Sequence, residues 1–171
     1  MSAEVTPQAT KGYVSLLGGG GVSFPGWGST ARVETRDSLL RLNFVLRRQQ
    51  GRLWYRFLNE LWVEVPLMEV LPPYPGIITS LNFLSGMIFR PEAGWNPYLY
   101  FGGGPLYMTA SIPGTGAKLC GNYLAGAGFR LRLGGGVFFN IELRYHHISN
   151  MGLASPNDPV NSLKVLAGFS Y

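Results

Sequence analysis

The sequence predicts an all-β fold, an eight-stranded antiparallel transmembrane β-barrel. Three observations predict it. Segment after segment alternates apolar and polar residues with period two, the pattern of strands with two unlike faces. Within 137–150, Phe139, Ile141, Leu143 and Tyr145 share one face, and Asn140, Glu142, Arg144 and His146 share the other. Only 13% of the residues are charged, against roughly 25% in ordinary soluble domains, while 24 glycines and 13% aromatics suit many strands, tight turns and an apolar exterior. The connections alternate between short and long, as in barrels with short periplasmic turns and longer outer loops.

Residues 1–11 form a polar lead-in to a single domain spanning 1–171. Strand one is expected at 12–24 and contains the glycine run 18–21; a loop follows at 25–31. Strand two, 32–46, sets Leu40, Leu42, Phe44 and Leu46 against Arg41, Asn43 and Arg47. A turn at 48–52 leads to strand three, 53–67, where Tyr55, Phe57, Leu61, Val63 and Val65 oppose Arg56, Glu60 and Glu64. After the Pro-rich loop 71–76 come strand four at 77–89, a turn at 90–96 and strand five at 97–109. The loop 110–121 carries Cys120, the single cysteine, so no intrachain disulfide is available. In strand six, 122–133, Ala125, Ala127, Phe129, Leu131 and Leu133 alternate with Gly126, Gly128, Arg130 and Arg132. Gly134 to Gly136 turn the chain into strand seven, the loop 150–160 follows, and strand eight shows Leu163, Val165, Ala167, Phe169 and Tyr171 on one face.

Several classes are disfavoured. The uncharged runs 70–89 and 97–117 contain Pro72, Pro73 and Pro75, and Pro105 and Pro113, clusters no membrane helix accommodates. Residues 1–11 lack the apolar segment of a signal peptide, which leaves a cytosolic protein or a mature chain behind a start Met; the barrel favours the second. The net charge of +5 suits anionic lipid; no aromatic-interleaved basic stripe supports nucleic acid. The glycine runs lack a following Lys-Ser or Lys-Thr, so they are no phosphate loop. His146 and His147 are adjacent and point to opposite faces of a strand, so neither a metal nor a cofactor is expected. In a membrane barrel the charged set Arg41, Arg47, Arg56, Glu60, Glu64, Arg130, Arg132, Glu142, Arg144 and Lys164 fills the bore, leaving no open pore. A soluble barrel would invert these faces; alternation alone does not choose, but the glycine and aromatic content favours lipid outside.

The polar residues that cap the apolar faces are the candidate site. Beyond Tyr145 the outward face reaches His147 and Ser149, and the outward face of strand eight extends back to Asn161. Residues two apart on a strand lie about 6.6 Å apart on one face, so an imidazole can approach a serine hydroxyl, the pair that nucleophilic catalysis needs. The competing reading places them at the membrane interface, where His and Ser are ordinary. With both termini periplasmic, the site lies at the outer end of the barrel.

The run Glu142-Leu-Arg-Tyr-His-His-Ile-Ser-Asn-Met-Gly-Leu, with Ser155-Pro-Asn-Asp-Pro and Asn161-Ser-Leu, resembles the outer-membrane lipid A deacylases of the PagL type. The resemblance is sharp over about the last thirty residues. It implies an eight-stranded barrel in the Gram-negative outer membrane that removes the ester-linked acyl chain at the 3-position of lipid A, with lipopolysaccharide as partner and a homodimer left open. It implies Ser149 as nucleophile, His147 as general base, and Asn150 helping to hold the oxyanion. The position of the family's acidic residue is occupied by Asn161. An amide there orients the imidazole but does not stabilise imidazolium, so Asp158 is the second candidate, and restoring a carboxylate at 161 is expected to raise activity. A non-catalytic barrel, structural or adhesive, is the alternative function.

Overall fold

The computed structural model describes residues 12–49 and 57–171, without the side chains of 47–49. Gly51, Tyr55, Arg56, the polar lead-in 1–11 and the side chain of Arg47 lie outside this set. Nine strands are described: β1 (Gly12–Ser23), β2 (Glu34–Gln49), β3 (Phe57–Val70), β4 (Gly76–Ser80), β5 (Asn82–Phe89), β6 (Trp95–Met108), β7 (Leu119–Gly134), β8 (Val137–Ser149) and β9 (Val160–Ser170). Apart from β4 and β5, which each pair with β3 and β6, sequence neighbours pair antiparallel, and β1 pairs with β9, so the sheet closes on itself. The fold is a closed eight-stranded antiparallel barrel, because β4 and β5 are two halves of one stave.

The break at Leu81 has a local cause. Pairing with β3 continues in one register from Thr79 opposite Leu67 to Asn82 opposite Glu64. That register sets Ser80 against Pro66, and the pairing with β6 sets Leu81 against Pro105. Neither proline has an N–H to donate, so the ladder is interrupted there without a change of face.

Charge decides which face is inside. Arg41, Glu60, Glu64, Arg130, Glu142, Arg144 and Lys164 are buried in the bore, while Leu42, Phe129, Leu143 and Val165 stand exposed on the wall. That is the membrane arrangement; a soluble barrel with apolar faces inward is overturned. Arg132 departs from expectation: it is exposed at the rim and reaches the Pro91 carbonyl.

The bore is filled in layers. At its middle, Arg41 Nε donates to Glu64 Oε1 at 2.6 Å and Arg41 Nη2 to Glu142 Oε2 at 2.9 Å. Arg144 Nη2 reaches Glu64 and Glu142 at 2.9 and 2.8 Å, and the hydroxyls of Tyr98 and Tyr100 both donate to Glu142. Trp62 lies under the Arg41 guanidinium at 4.1 Å. Gly126 and Gly128 make room for this layer, since a Cβ on either would sit 2.4 Å from a tyrosine ring. Lys164 pairs with Asp37 at 2.6 Å. Toward the end remote from the chain termini the bore turns apolar, with Met68, Val70, Ile78, Leu106, Met108, Cys120, Ile148 and Val160 packed together.

The connections 24–33, 71–75, 109–118 and 150–159 gather at that end; 90–94 and 135–136 lie at the other. The expected asymmetry is uneven, since 71–75 is no longer than 90–94. Cys120 is a correction: it is not in the loop but on β7, inward and buried, its thiol directed at the Ala117 carbonyl.

Two neighbouring positions test the orientation. Glu142→Ala leaves two buried guanidiniums, those of Arg41 and Arg144, to share Glu64 alone and should cost about 3–5 kcal/mol. Leu143→Arg sets a charge against hydrocarbon and should cost about 2–4 kcal/mol. Urea unfolding in detergent or lipid, followed by the heat-modifiable gel shift, measures both; two neutral substitutions would contradict the assignment of faces.

Candidate functional site

The site sits on the outward face of β7, β8 and β9, at the end where the long loops gather. The registers set Tyr123 opposite His147, and His147 opposite Asn161. Ser149 follows two residues on, opposite Gly121.

Asn161 points to the outside of the wall, yet it is 0% exposed. The connection between β1 and β2 covers it. The Phe24 N–H donates to the Asn161 carbonyl at 2.9 Å, and the Asn161 Nδ2 donates to the Gly26 carbonyl at 2.9 Å. Phe24 and Trp27 pack edge-on to each other and against Tyr145.

The bond to Gly26 fixes the chemistry of the amide. A carbonyl only accepts, so the Asn161 atom facing it is the NH₂ group, and the atom facing His147 is the oxygen. Oδ1 lies 2.7 Å from His147 Nδ1 and also accepts from the Tyr145 hydroxyl at 2.7 Å. An acceptor at that distance assigns the imidazole proton to Nδ1. Nε2 is then a bare lone pair, the form a general base requires.

Ser149 and His147 line one groove of about 550 Å³ with Leu119, Tyr123, Met151 and Leu153. The Ser149 hydroxyl forms no hydrogen bond to His147 or to any other described residue. Such bonds often tighten only when substrate is bound. Asp158 is turned elsewhere: its N–H donates to the Gly114 carbonyl and its carboxylate faces Thr30.

Asn150 is engaged in building its own loop. It is fully buried, and its Nδ2 donates to the carbonyls of Thr115, Ala154 and Pro156 at 2.7, 2.9 and 3.0 Å. Its Oδ1 accepts from the Gly152 N–H, and its own N–H donates to Asn157 Oδ1. With Leu153 N–H on the Asn150 carbonyl, and Met151 at φ 55° and Gly152 at φ 77°, residues 150–153 form a type I′ turn. The side-chain donors of Asn150, the residue expected to help hold an oxyanion, are thus engaged with three backbone carbonyls.

Three participants escaped the sequence. Tyr145 was legible as a face-mate of His147, two positions away, but its hydroxyl bond was not. Tyr123 requires the β7–β8 register. Gly26 requires the fold of a loop that carries no periodic signal.

The profile of the family described as "Lipid A 3-O-deacylase (PagL)" matches residues 49–170. The chain belongs to the lipid A 3-O-deacylase family. Among solved structures, it is similar to the outer membrane enzyme PagL, at TM-score 0.62 and 16% identity over 92% of this chain and 98% of that one. It is also similar to Neisserial surface protein A, at TM-score 0.71 and 11% identity over 95% of this chain and 98% of that one. These identities carry the barrel fold. A comparison with curated protein sequences finds no match. Membership of the deacylase family, together with the barrel, places the chain in the Gram-negative outer membrane.

The turn after Ser149 gives a test. Asn150→Ala removes four side-chain hydrogen bonds and should loosen the 150–159 segment by about 2–4 kcal/mol, taking about 1 kcal/mol for each bond with partial replacement by water. Limited proteolysis should then cut that segment faster while the barrel keeps its gel shift; unchanged cleavage would show that the turn does not depend on this side chain.

Proposed function

We propose that the chain is an outer-membrane esterase that hydrolyses an ester-linked acyl chain of lipid A. The observation that carries this reading is the Gly26–Asn161–His147 chain of hydrogen bonds, which holds the imidazole with Nε2 unprotonated beside a groove that also contains Ser149. Family membership supports the substrate class.

In this reading the acyl chain lies in the groove, against Leu119, Met151 and Leu153, with its ester carbonyl at Ser149. Nε2 of His147 takes the hydroxyl proton as Oγ attacks the carbonyl carbon. The resulting imidazolium returns that proton to the sugar oxygen as the carbon–oxygen bond breaks. Water, deprotonated by the same Nε2, then releases the fatty acid from Ser149. Asn161 and, through it, the Gly26 carbonyl orient His147. Asn150 supports the step by fixing the backbone that follows the nucleophile. Asp158 has no part in this assignment, because it faces the other loop.

Mass spectrometry of lipid A incubated with purified protein in detergent tests the proposal. The wild type should remove one acyl chain and release the free fatty acid. Ser149→Ala should abolish this with the barrel intact, and His147→Ala should slow it about 10²–10⁴-fold. Wild-type protein that leaves every ester of lipid A untouched would favour the non-catalytic alternative. Asn161→Asp provides a sharper outcome, and it reverses what the sequence suggested. A carboxylate oxygen would face the Gly26 carbonyl at hydrogen-bond distance with no proton between them, so activity should fall. A gain would mean that the Gly26 contact does not set the amide.

A further inference from the structure

The serine–histidine reading leaves a charge unbalanced. When His147 takes the serine proton it becomes imidazolium, and the side chain at its Nδ1 is a neutral amide. Among the described residues no carboxylate pairs with it, and Asp158 faces Thr30 and Gly114. An amide oxygen orients the ring but supplies no negative charge.

The other face of the imidazole is not empty. Tyr123, directly across from it on β7, stacks on His147 with ring centroids 4.4 Å apart and planes inclined by 21°. The Tyr145 ring stands 5.8 Å from Tyr123 on the same wall, so the stack is held from the side. Near-parallel rings at this separation place the imidazole over the negative π face of the tyrosine. That face attracts a cation much more than a neutral ring. The attraction therefore grows as the proton arrives, and only interactions stronger in the transition state than in the ground state raise the rate. The surroundings favour it as well: Tyr123 is exposed on the wall of a membrane barrel, where little water competes, and cation–π contacts are stronger when desolvated.

We propose that the ring of Tyr123 stabilises the His147 imidazolium, taking over the electrostatic half of the work a triad carboxylate would do, while Asn161 does the orienting half. Tyr123 acts through His147, so it is a positioning residue. The inference rests on the serine–histidine reading for its catalytic consequence, and on the stack alone for its electrostatic one.

The test varies the electronics of the ring at nearly constant shape. Tyr123 is replaced by Phe, and then by Phe carrying one, two and three ring fluorines, each of which drains the π face. Two quantities are read in detergent micelles: kcat and KM on lipid A, and the pH titration of the His147 Cε1 proton by NMR. Tyr123→Phe keeps the π face and is the reference against which the fluorinated rings are read. The fluorinated series should then lower kcat stepwise, by about 5- to 30-fold in total, the range that cation–π contacts of this class correspond to, with KM unchanged. The midpoint of the NMR titration should move to lower pH in the same order. A flat kcat and a flat midpoint across the series would reduce Tyr123 to a packing residue and overturn the proposal. Wild-type protein without ester hydrolysis would sink the serine–histidine reading itself. The NMR series still decides the stack in that case: a graded midpoint upholds the electrostatic contact, and a flat one rejects it.

Discussion

The structure depends on one buried assembly of charge. Arg41, Glu64, Glu142 and Arg144 form a closed set of four at the centre of the bore, with tyrosine hydroxyls completing the acceptors of Glu142. Each ion alone would be intolerable in a water-poor interior. Together they give the inner face partners that no apolar side chain could supply, so the alternation of every contributing strand is locked in phase. A one-residue slip in any of these strands would turn a guanidinium or a carboxylate toward hydrocarbon. The outward residues are outward because these are inward, and His147 and Ser149 inherit their position from Arg144 and Glu142 on the same strand.

The site adds a second constraint to that frame. A barrel wall presents side chains in rows and has no concave surface of its own, so a site on its outside must be built by what leans on it. Here the β1–β2 connection lies over Asn161 and the turn after Ser149 banks up Met151 and Leu153. The wall supplies precise spacing, and the loops supply shelter. This division explains why Asn161 is buried although it stands on the outer surface.

Much of the architecture was legible in the sequence because period-two alternation is a direct image of a two-faced wall. Alternation sorted Arg130, Glu142 and Arg144 onto one face and Phe129, Leu143 and Val165 onto the other, and the glycine and aromatic content chose which face is inward. The sorting failed where alternation stops carrying information. Arg132 follows the inward parity but lies at the rim, where there is no longer a bore to enter. Cys120 precedes any visible alternation in β7 and was read as loop. The division of one stave at Leu81 depends on prolines in two other strands, Pro66 and Pro105, which no local pattern reveals. In the candidate site, His147, Ser149 and Asn161 were singled out because they interrupt apolar faces. The partners that give them definite hydrogen-bonding states, Gly26, Tyr145 and Tyr123, are fixed by register and loop folding, which are long-range properties. The hydrogen bonds of Asn150 are hidden for a similar reason: an asparagine after a candidate nucleophile suggests a donor, and only the fold shows where its donors go.

The apolar packing at the loop end of the bore has a consequence for the cell as a whole. Met68, Met108, Ile148 and their neighbours close the mouth over a shaft already occupied by bonded ions and rings. Among the described residues, this packing offers a hydrated ion no polar lining at that end of the bore. The chain can therefore accumulate to high copy number without short-circuiting the permeability barrier in which it sits. Leakage through its middle then sets no limit on its abundance.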